Sequence, residues 1–435
     1  MNSRNEIAKP WLDSYPAGID DQVNLDSYPS VAAALEASCE RFADRCAFVH
    51  MGVETSYAQV ERASRDFAAF LQNELKLEQG RRLAIMMPNC LQYVIALVGA
   101  IRAGLVVVNV NPLYTARELE HQLADSEAGA ILVMENFAAT LEKVRDAVPV
   151  ETVITTQLGD LFPAPKRLLV NTVVKHVKKM VPKWNIPGAI GFLDALKRGA
   201  GGNFSAPTLT HEDLIFLQYT GGTTGPAKGA MLSHGNLVAN LAQCHAWFQH
   251  YVDEQSGEVV VTALPMYHIF ALMVNVLTFF TLGGKHLLIT NPRDLPGFVK
   301  ALSKQPFTAI TGVNTLFNGL LNTPGFDKLD FSSLKFAMGG GMAVQQAVAE
   351  RWKEVTGVPI IEGYGLSETS PVATSNRLDL KEFNHSIGLP VPGTEVAIRD
   401  DDDNDLPVGE PGELCVRGPQ VMQGYWKKPE DNAKS

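Results

Sequence analysis

Residues 219–229 read YTGGTTGPAKG, and these residue types are suited to holding phosphate. Glycine lets backbone N–H groups turn towards an anion and approach it closely, threonine hydroxyls add donors, and Lys228 adds a positive charge. The apolar run 214–217 precedes the segment, so the loop is expected to leave the end of a buried strand. Its spacing is not that of the Walker loop, in which Gly-Lys is followed by Ser or Thr; Ala227 precedes Lys228 and Gly229 follows it. An ordinary Gly/Thr-rich surface turn is the competing reading, and the lysine and the upstream strand weigh against it.

Two further stretches carry the same kind of signal. FAMGGGMAV, residues 336–344, again sets glycines at the end of an apolar run, and EGYGLSETSP, residues 362–371, combines glycines, Tyr364, Ser367 and the carboxylate of Glu368. Taken alone, Gly339, Gly340 and Gly341 could form only a tight turn, and Glu368 could be only a helix-terminal acid. His268, in ALPMYHIFAL, would by default be a core histidine.

The elements that must position these residues alternate between strand-length apolar runs and helix-period stretches. Strands are expected near 83–87, 105–110, 130–134, 214–218, 259–264, 286–289, 308–313, 336–338 and 359–361. Helices are expected at 57–75, 91–103, 117–126, 236–248 and 343–355, with a buried helix at 269–282 that is too short to span a bilayer. This alternation implies an α/β fold with mostly parallel sheets covered on both faces, whose ligands gather at the carboxyl ends of strands. Beyond Pro371 the pieces become short and β-rich, at 395–399 and 412–417, which suggests a small antiparallel barrel or sheet. Read as a calcium loop from Asp401, the acidic cluster 400–405 puts Leu406 where glycine is required and Gly412 where a glutamate is required; a solvated turn is expected instead.

Composition excludes several classes. A hydrophobic content of 46% with 19% charged residues describes a folded chain with a large core, and 435 residues allow two or three packed units. A net charge of −10 disfavours non-specific nucleic-acid binding. The five cysteines form no C-x-x-C pair, which argues against a zinc site and fits a reducing compartment. One segment breaks the acidic average: residues 166–183 hold six Lys/Arg and no Asp/Glu, with valines at helical spacing. A helix of that kind lies on an anionic membrane surface or is an ordinary solvated face, and the sequence leaves both open.

Together the three glycine-rich elements resemble those of the adenylate-forming superfamily, which includes acyl-CoA synthetases, firefly luciferase and peptide-synthetase adenylation domains. MMPNCLQYVIAL (86–97), NVNPLYTARELEHQL (109–123), ALPMYHIFAL (263–272) and GYWKKPE (424–430) narrow the resemblance to bacterial long-chain fatty-acid CoA ligases, over nearly the whole chain. It implies two mostly parallel sheets sandwiched by helices in αβαβα layering, plus a small distorted β-barrel. Residues 1–370 would be an α/β core of two interleaved subdomains and 371–435 a β-rich subdomain ending at a hinge. The small lid domain that follows the hinge in such enzymes, bearing a catalytic lysine, is expected to be absent from these 435 residues.

The resemblance also implies roles. Tyr219, Thr220, Gly221, Gly222, Thr223, Thr224, Gly225 and Lys228 would wrap the ATP phosphates, and Thr223, Lys228, Glu368 and His268 would be the catalytic groups. Tyr364 would stack on adenine, and Gly339, Gly340, Gly341, Glu362, Gly363 and Gly365 would line the adenine slot. Ser367 would meet the α-phosphate or acyl carboxylate, Glu368 would hold Mg²⁺, and His268 would sit near the acyl carboxylate. Phe270 or Leu272 would gate an acyl tunnel. Two departures stand out: Gly221 replaces a common Ser or Thr, and Pro226-Ala227 inverts the usual order before the lysine. The implied reaction joins a fatty acid to coenzyme A at the expense of ATP, in the cytoplasm. Peripheral contact with the inner membrane face and a homodimer are the other partner expectations. A medium-chain or aryl-acid ligase and a non-catalytic nucleotide- or acyl-binding module are the alternatives.

Overall fold

Runs such as Val106–Val110 and Ala130–Met134 are buried at every residue, as strands covered on both faces must be. The computed structural model describes residues 9–221, 225–255 and 257–434, and in it such runs build two large sheets. One has seven strands in the spatial order Ile190–Gly191, Thr152–Thr156, Ala130–Met134, Arg82–Met86, Val106–Val110, Leu214–Thr220 and Lys228–Ser233. All its neighbours are parallel except the last pair.

The other sheet has nine strands, with parallel pairing through Ile360–Gly365, Phe336–Gly339, Ala309–Gly312, Val259–Thr262, Lys285–Leu288 and Cys46–His50. Antiparallel strands close its two edges, Val53–Ser56 at one and Val372–Ser375 with Leu389–Pro390 at the other. This is the expected α/β architecture. Val372–Ser375 carries the nine-stranded sheet past residue 371, and the separate antiparallel pair, Glu395–Arg399 with Glu413–Arg417, begins later. Among the described residues that pair is a two-stranded sheet rather than a closed barrel. The acidic cluster builds its turn: the Asp400 carboxylate accepts from the N–H groups of Asp402 and Asn404, and Arg399 donates to Asp405.

Helix starts follow local chemistry. Ser56 with Gln59, Thr115 with Glu118 and Ser233 with Asn236 each form a reciprocal capping box, so the third helix begins at His234 rather than at the expected 236. The helix expected from 343 begins at Gln346, because side chains of Glu362 and Asn314 bind the N–H groups of Val344 and Gln345 and hold that stretch as a turn. The apolar 269–282 stretch is helical and buried, mostly as the wide-turned Ala271–Thr278 element.

Polar side chains stitch the two sheets together at the end where the glycine loops emerge. Asn89, just after strand Arg82–Met86, donates to the carbonyls of Thr262 and Leu264 and accepts from Met266 N–H. The one hydroxyl proton of Tyr93 is shared between Asn109 Oδ1 at 2.7 Å and the Met266 carbonyl at 2.8 Å, while Asn109 donates to Gln218 and Gln218 to the Tyr267 carbonyl. The side chains of Asn89, Tyr93, Asn109 and Gln218 are all buried and bonded, which pins one sheet against the other.

Buried histidines make this core sensitive to acid. Burial pulls His50 and His286 down to about 3, and His234 and His245 down to about 4. His286 stacks on Phe48 with 4.7 Å between ring centroids, and among the described residues neither of its nitrogens has a protein partner. A folded-state pKa below the unfolded value means that the unfolded chain takes up protons first. Stability is therefore complete above the unfolded pKa of 6.5 and is lost as pH falls towards 3–4. By about pH 5 each such histidine should cost at most about 2 kcal/mol. Melting temperature should fall steadily below pH 6.5, and His286→Phe should flatten part of that slope; a melting temperature flat from pH 7 to 5 contradicts this reading.

Candidate active site

The phosphate-type loop is the turn of an antiparallel hairpin. Thr220 pairs with Lys228 and Tyr219 with Gly229, so Lys228 opens a strand at the base of the loop. Gly222, Thr223 and Thr224 lie outside the described residues. Tyr219 is a strut: its buried ring abuts Gly229, and its hydroxyl donates to Asp125 at 2.6 Å. Burial, aided by that carboxylate, pushes the phenol pKa up, so it stays a donor. The ammonium of Lys228 lies 2.5 Å from an Asp431 oxygen and 5.3 Å from the centre of the Tyr425 ring.

A slot opens beside this loop at the carboxyl ends of two parallel strands, Phe336–Gly339 and Ile360–Gly365. Gly339, Gly340, Gly341, Gly363, Tyr364 and Gly365 all face the same cavity. Two of these glycines are obligatory. Gly341 has a φ of +77°, and a Cβ on Gly365 would sit 2.0 Å from the Pro371 carbonyl oxygen. Glu362 does not reach the cavity; it accepts from Val344 N–H at 2.8 Å and so anchors the glycine turn from behind. Burial raises its pKa, against the opposing pull of that N–H. Ser367 and Glu368 follow the strand and line the cavity.

The cavity measures about 660 Å³ and joins two kinds of surface. Thr220, Gly221, Gly225, Lys228, Ser367 and Glu368 form its polar side, while Trp247, Phe248, Val274, Met338 and Ile361 form an apolar one. His268 lines the same cavity. Crowding by the surrounding atoms lowers its pKa, so the imidazole is neutral at pH 7. Its Nδ1 accepts from Phe270 N–H at 3.3 Å, which puts the proton on Nε2, available to an acceptor in the cavity. Phe270 lines the cavity, whereas Leu272 is wholly buried in the core and does not, leaving Phe270 as the gate candidate.

Sequence reasoning did not assign roles to Tyr425, Trp426 and Asp431. Tyr425 donates to Glu368 at 2.6 Å, and Trp426 donates from its indole to the Asp125 carbonyl and from its backbone to Gly229. Their signal was the aromatic, glycine-led GYWKKPE stretch, whose pairing with the Lys228–Ser233 strand is non-local. Among the described residues no group of three or more His, Cys, Asp or Glu side chains converges, so a cation here would have Glu368 as its one protein carboxylate. That donor set suits a hard divalent ion which keeps its waters and binds phosphate oxygens.

Residues 35–426 match the model of the AMP-binding enzyme family. The chain is 56% identical over 424 residues to the long-chain-fatty-acid–CoA ligase of Escherichia coli, covering 98% of this chain and 75% of that protein. It is 51% identical to the corresponding ligase of Haemophilus influenzae, covering 98% of this chain and 76% of that protein. The fold is shared with an anthranilate CoA ligase bound to anthranoyl-AMP, at a TM-score of 0.82, 22% identity and coverage of 95% and 74% of the two chains. It is shared too with a long-chain-fatty-acid-CoA ligase from Archaeoglobus fulgidus, at 0.80, 23% identity and coverage of 97% and 80%. With the family model spanning most of its length and the glycine loops meeting at one cavity, the chain belongs to the AMP-binding enzyme family.

Proposed function

We propose that this protein activates a long-chain fatty acid as its acyl-adenylate and transfers the acyl group to coenzyme A. The observation that carries the reading is the two-sided cavity, a phosphate-type loop and glycine slot continuous with an apolar interior, in a chain so similar to ligases of that name. A carboxylate oxygen of the acid bonds to the α-phosphorus of ATP and pyrophosphate leaves. The coenzyme A thiolate then bonds to the acyl carbon and AMP leaves.

Tyr364 and Gly339–Gly341 receive the adenine, and Lys228 exchanges Asp431 for the polyphosphate. Gly222, Thr223 and Thr224 are assigned to the same phosphate contact from their residue types alone. Nε2–H of His268 orients the acyl carboxylate, and Ser367 meets the reacting end. Mg²⁺, held by Glu368 when bound, supplies neutralisation of charge on the leaving pyrophosphate. Positioning and charge neutralisation dominate such catalysis. Exchange of labelled pyrophosphate into ATP should require a long-chain acid; exchange supported equally by acetate or benzoate would reassign the substrate.

The reading extends to peripheral contact with an anionic membrane. The basic segment forms helix Ala164–Thr172 and the wide-turned Val173–Val177, with no buried residue in either. Leu168 and Val177 are 72% and 70% exposed among lysines, and Leu169 and Met180 are exposed beside them. Exposed apolar side chains interspersed with lysines in one segment complement an anionic bilayer rather than water. Lys175 spends part of its charge on Glu135, 3.4 Å away. Neutralising Lys175, Lys178 and Lys179 together should weaken co-sedimentation with phosphatidylglycerol vesicles, each lysine contributing about 1 kcal/mol at most. Co-sedimentation insensitive to salt and to these changes would mark a plain solvated face.

A further inference from the structure

We infer that Tyr425 is a positioning residue for both charged groups of the site, its hydroxyl orienting the Glu368 carboxylate and its ring seating the Lys228 ammonium. The inference rests on the nucleotide reading of the cavity and adds to it a residue outside the three glycine-rich elements. Its hydroxyl donates to Glu368 Oε1 at 2.6 Å, and Lys228 Nζ lies 5.3 Å from its ring centre. Glu368 follows a strand of the nine-stranded sheet, and Lys228 opens the edge strand of the seven-stranded one. One phenol therefore sets the spacing between charges carried by two different sheets.

Its own placement is over-determined. Ala230 bridges to Tyr425, Met231 N–H donates to the Gly424 carbonyl, and Trp426 N–H donates to the Gly229 carbonyl. Asn432 accepts from Tyr425 N–H at 2.7 Å, and Met422 N–H donates to the Glu368 carbonyl at 2.7 Å. These contacts tie the 422–432 stretch to both charge-bearing elements. A clamp so built has a plain alternative role, that of an anchor for the chain segment. The two roles differ in what the hydroxyl does, since an anchor needs the ring and the backbone only.

Tyr425→Phe keeps the ring over Lys228 and removes only the donor to Glu368. Calorimetry of ATP binding, in EDTA and then at stepped MgCl₂, reads the metal and nucleotide contributions separately. The magnesium needed to saturate binding should rise about 10-fold, the lower end of what loss of a ligand-orienting hydrogen bond costs. Affinity for ATP in EDTA should change less than about two-fold, because the ring-to-ammonium contact persists. Tyr425→Leu should also weaken ATP in EDTA, by about three-fold, as an exposed cation–π contact is lost. An unchanged magnesium requirement in Tyr425→Phe, whatever its melting temperature, overturns the inference and leaves an anchor. Absence of ATP binding by the unaltered protein would instead overturn the nucleotide reading on which the inference stands.

Discussion

Glu368→Gln and Lys228→Ala should each lower fatty-acid-dependent pyrophosphate release by about 10²–10³ while barely moving the melting temperature. The two magnitudes separate for a physical reason. The Lys228–Asp431 pair is 36% exposed on each side, and ion pairs that open to water contribute about 0–1 kcal/mol to stability. Lys228 and Glu368 nonetheless line the polar side of the cavity, where the proposed function puts the charge of a leaving pyrophosphate. Glu368→Gln keeps the shape and an acceptor for Tyr425 but loses the charge that a divalent cation needs. Rates unchanged in both variants would remove these residues from the reaction, whereas a large fall in melting temperature would reassign them to the scaffold.

Val274→Phe should turn the enzyme from long acids towards short ones. Val274 is buried in the wide-turned helix Ala271–Thr278 and borders the apolar side of the cavity, so a larger side chain there takes space that, on the proposed function, a long acyl chain fills. Each methylene denied apolar surroundings forfeits about 0.8 kcal/mol, close to four-fold in kcat/KM. Losing contact with a few methylenes should cost palmitate roughly 10–100-fold relative to octanoate, within the discrimination that apolar pockets achieve. Equal losses for both acids would mean that the acyl chain runs elsewhere.

Much of the candidate site's residue set was legible before any fold was known, because glycine-rich loops of this kind are local in sequence. Gly339–Gly341, Tyr364, Ser367, Glu368, Lys228 and His268 come from four short stretches, and each stretch carries its own residue-type signal. The structure brings all of them to one cavity. Glu362 carried the same kind of signal, yet its side chain turns to Val344 N–H, a choice made by the packing behind the glycine turn.

The parallel strands were legible for a related reason, since Val106–Val110 and Ala130–Met134 have continuous apolar runs. Lys228–Ser233 was not, because it starts on a lysine and a glycine and exists as a strand through pairing with Leu214–Thr220. Thr152–Thr156 was missed because its threonines carry no apolar run, although four of its five residues are buried. The links that Asn89, Tyr93 and Gln218 make between the sheets are non-local as well. Each is an unremarkable polar residue until the fold sets it against a carbonyl or amide of the other sheet. Tyr425 belongs with them, joined to Lys228 and Glu368 only through the fold.

The central claim is that a single cavity receives nucleotide on its polar side and an acyl chain on its apolar side. Its most direct test is the affinity of a series of hydrolysis-resistant acyl-adenylate mimics whose acyl group grows from acetyl to palmitoyl. Affinity should rise steadily with chain length, and Val274→Phe should halt the rise before palmitoyl without changing the acetyl mimic. An affinity independent of chain length, or one on which Val274→Phe acts equally for every mimic, would contradict it.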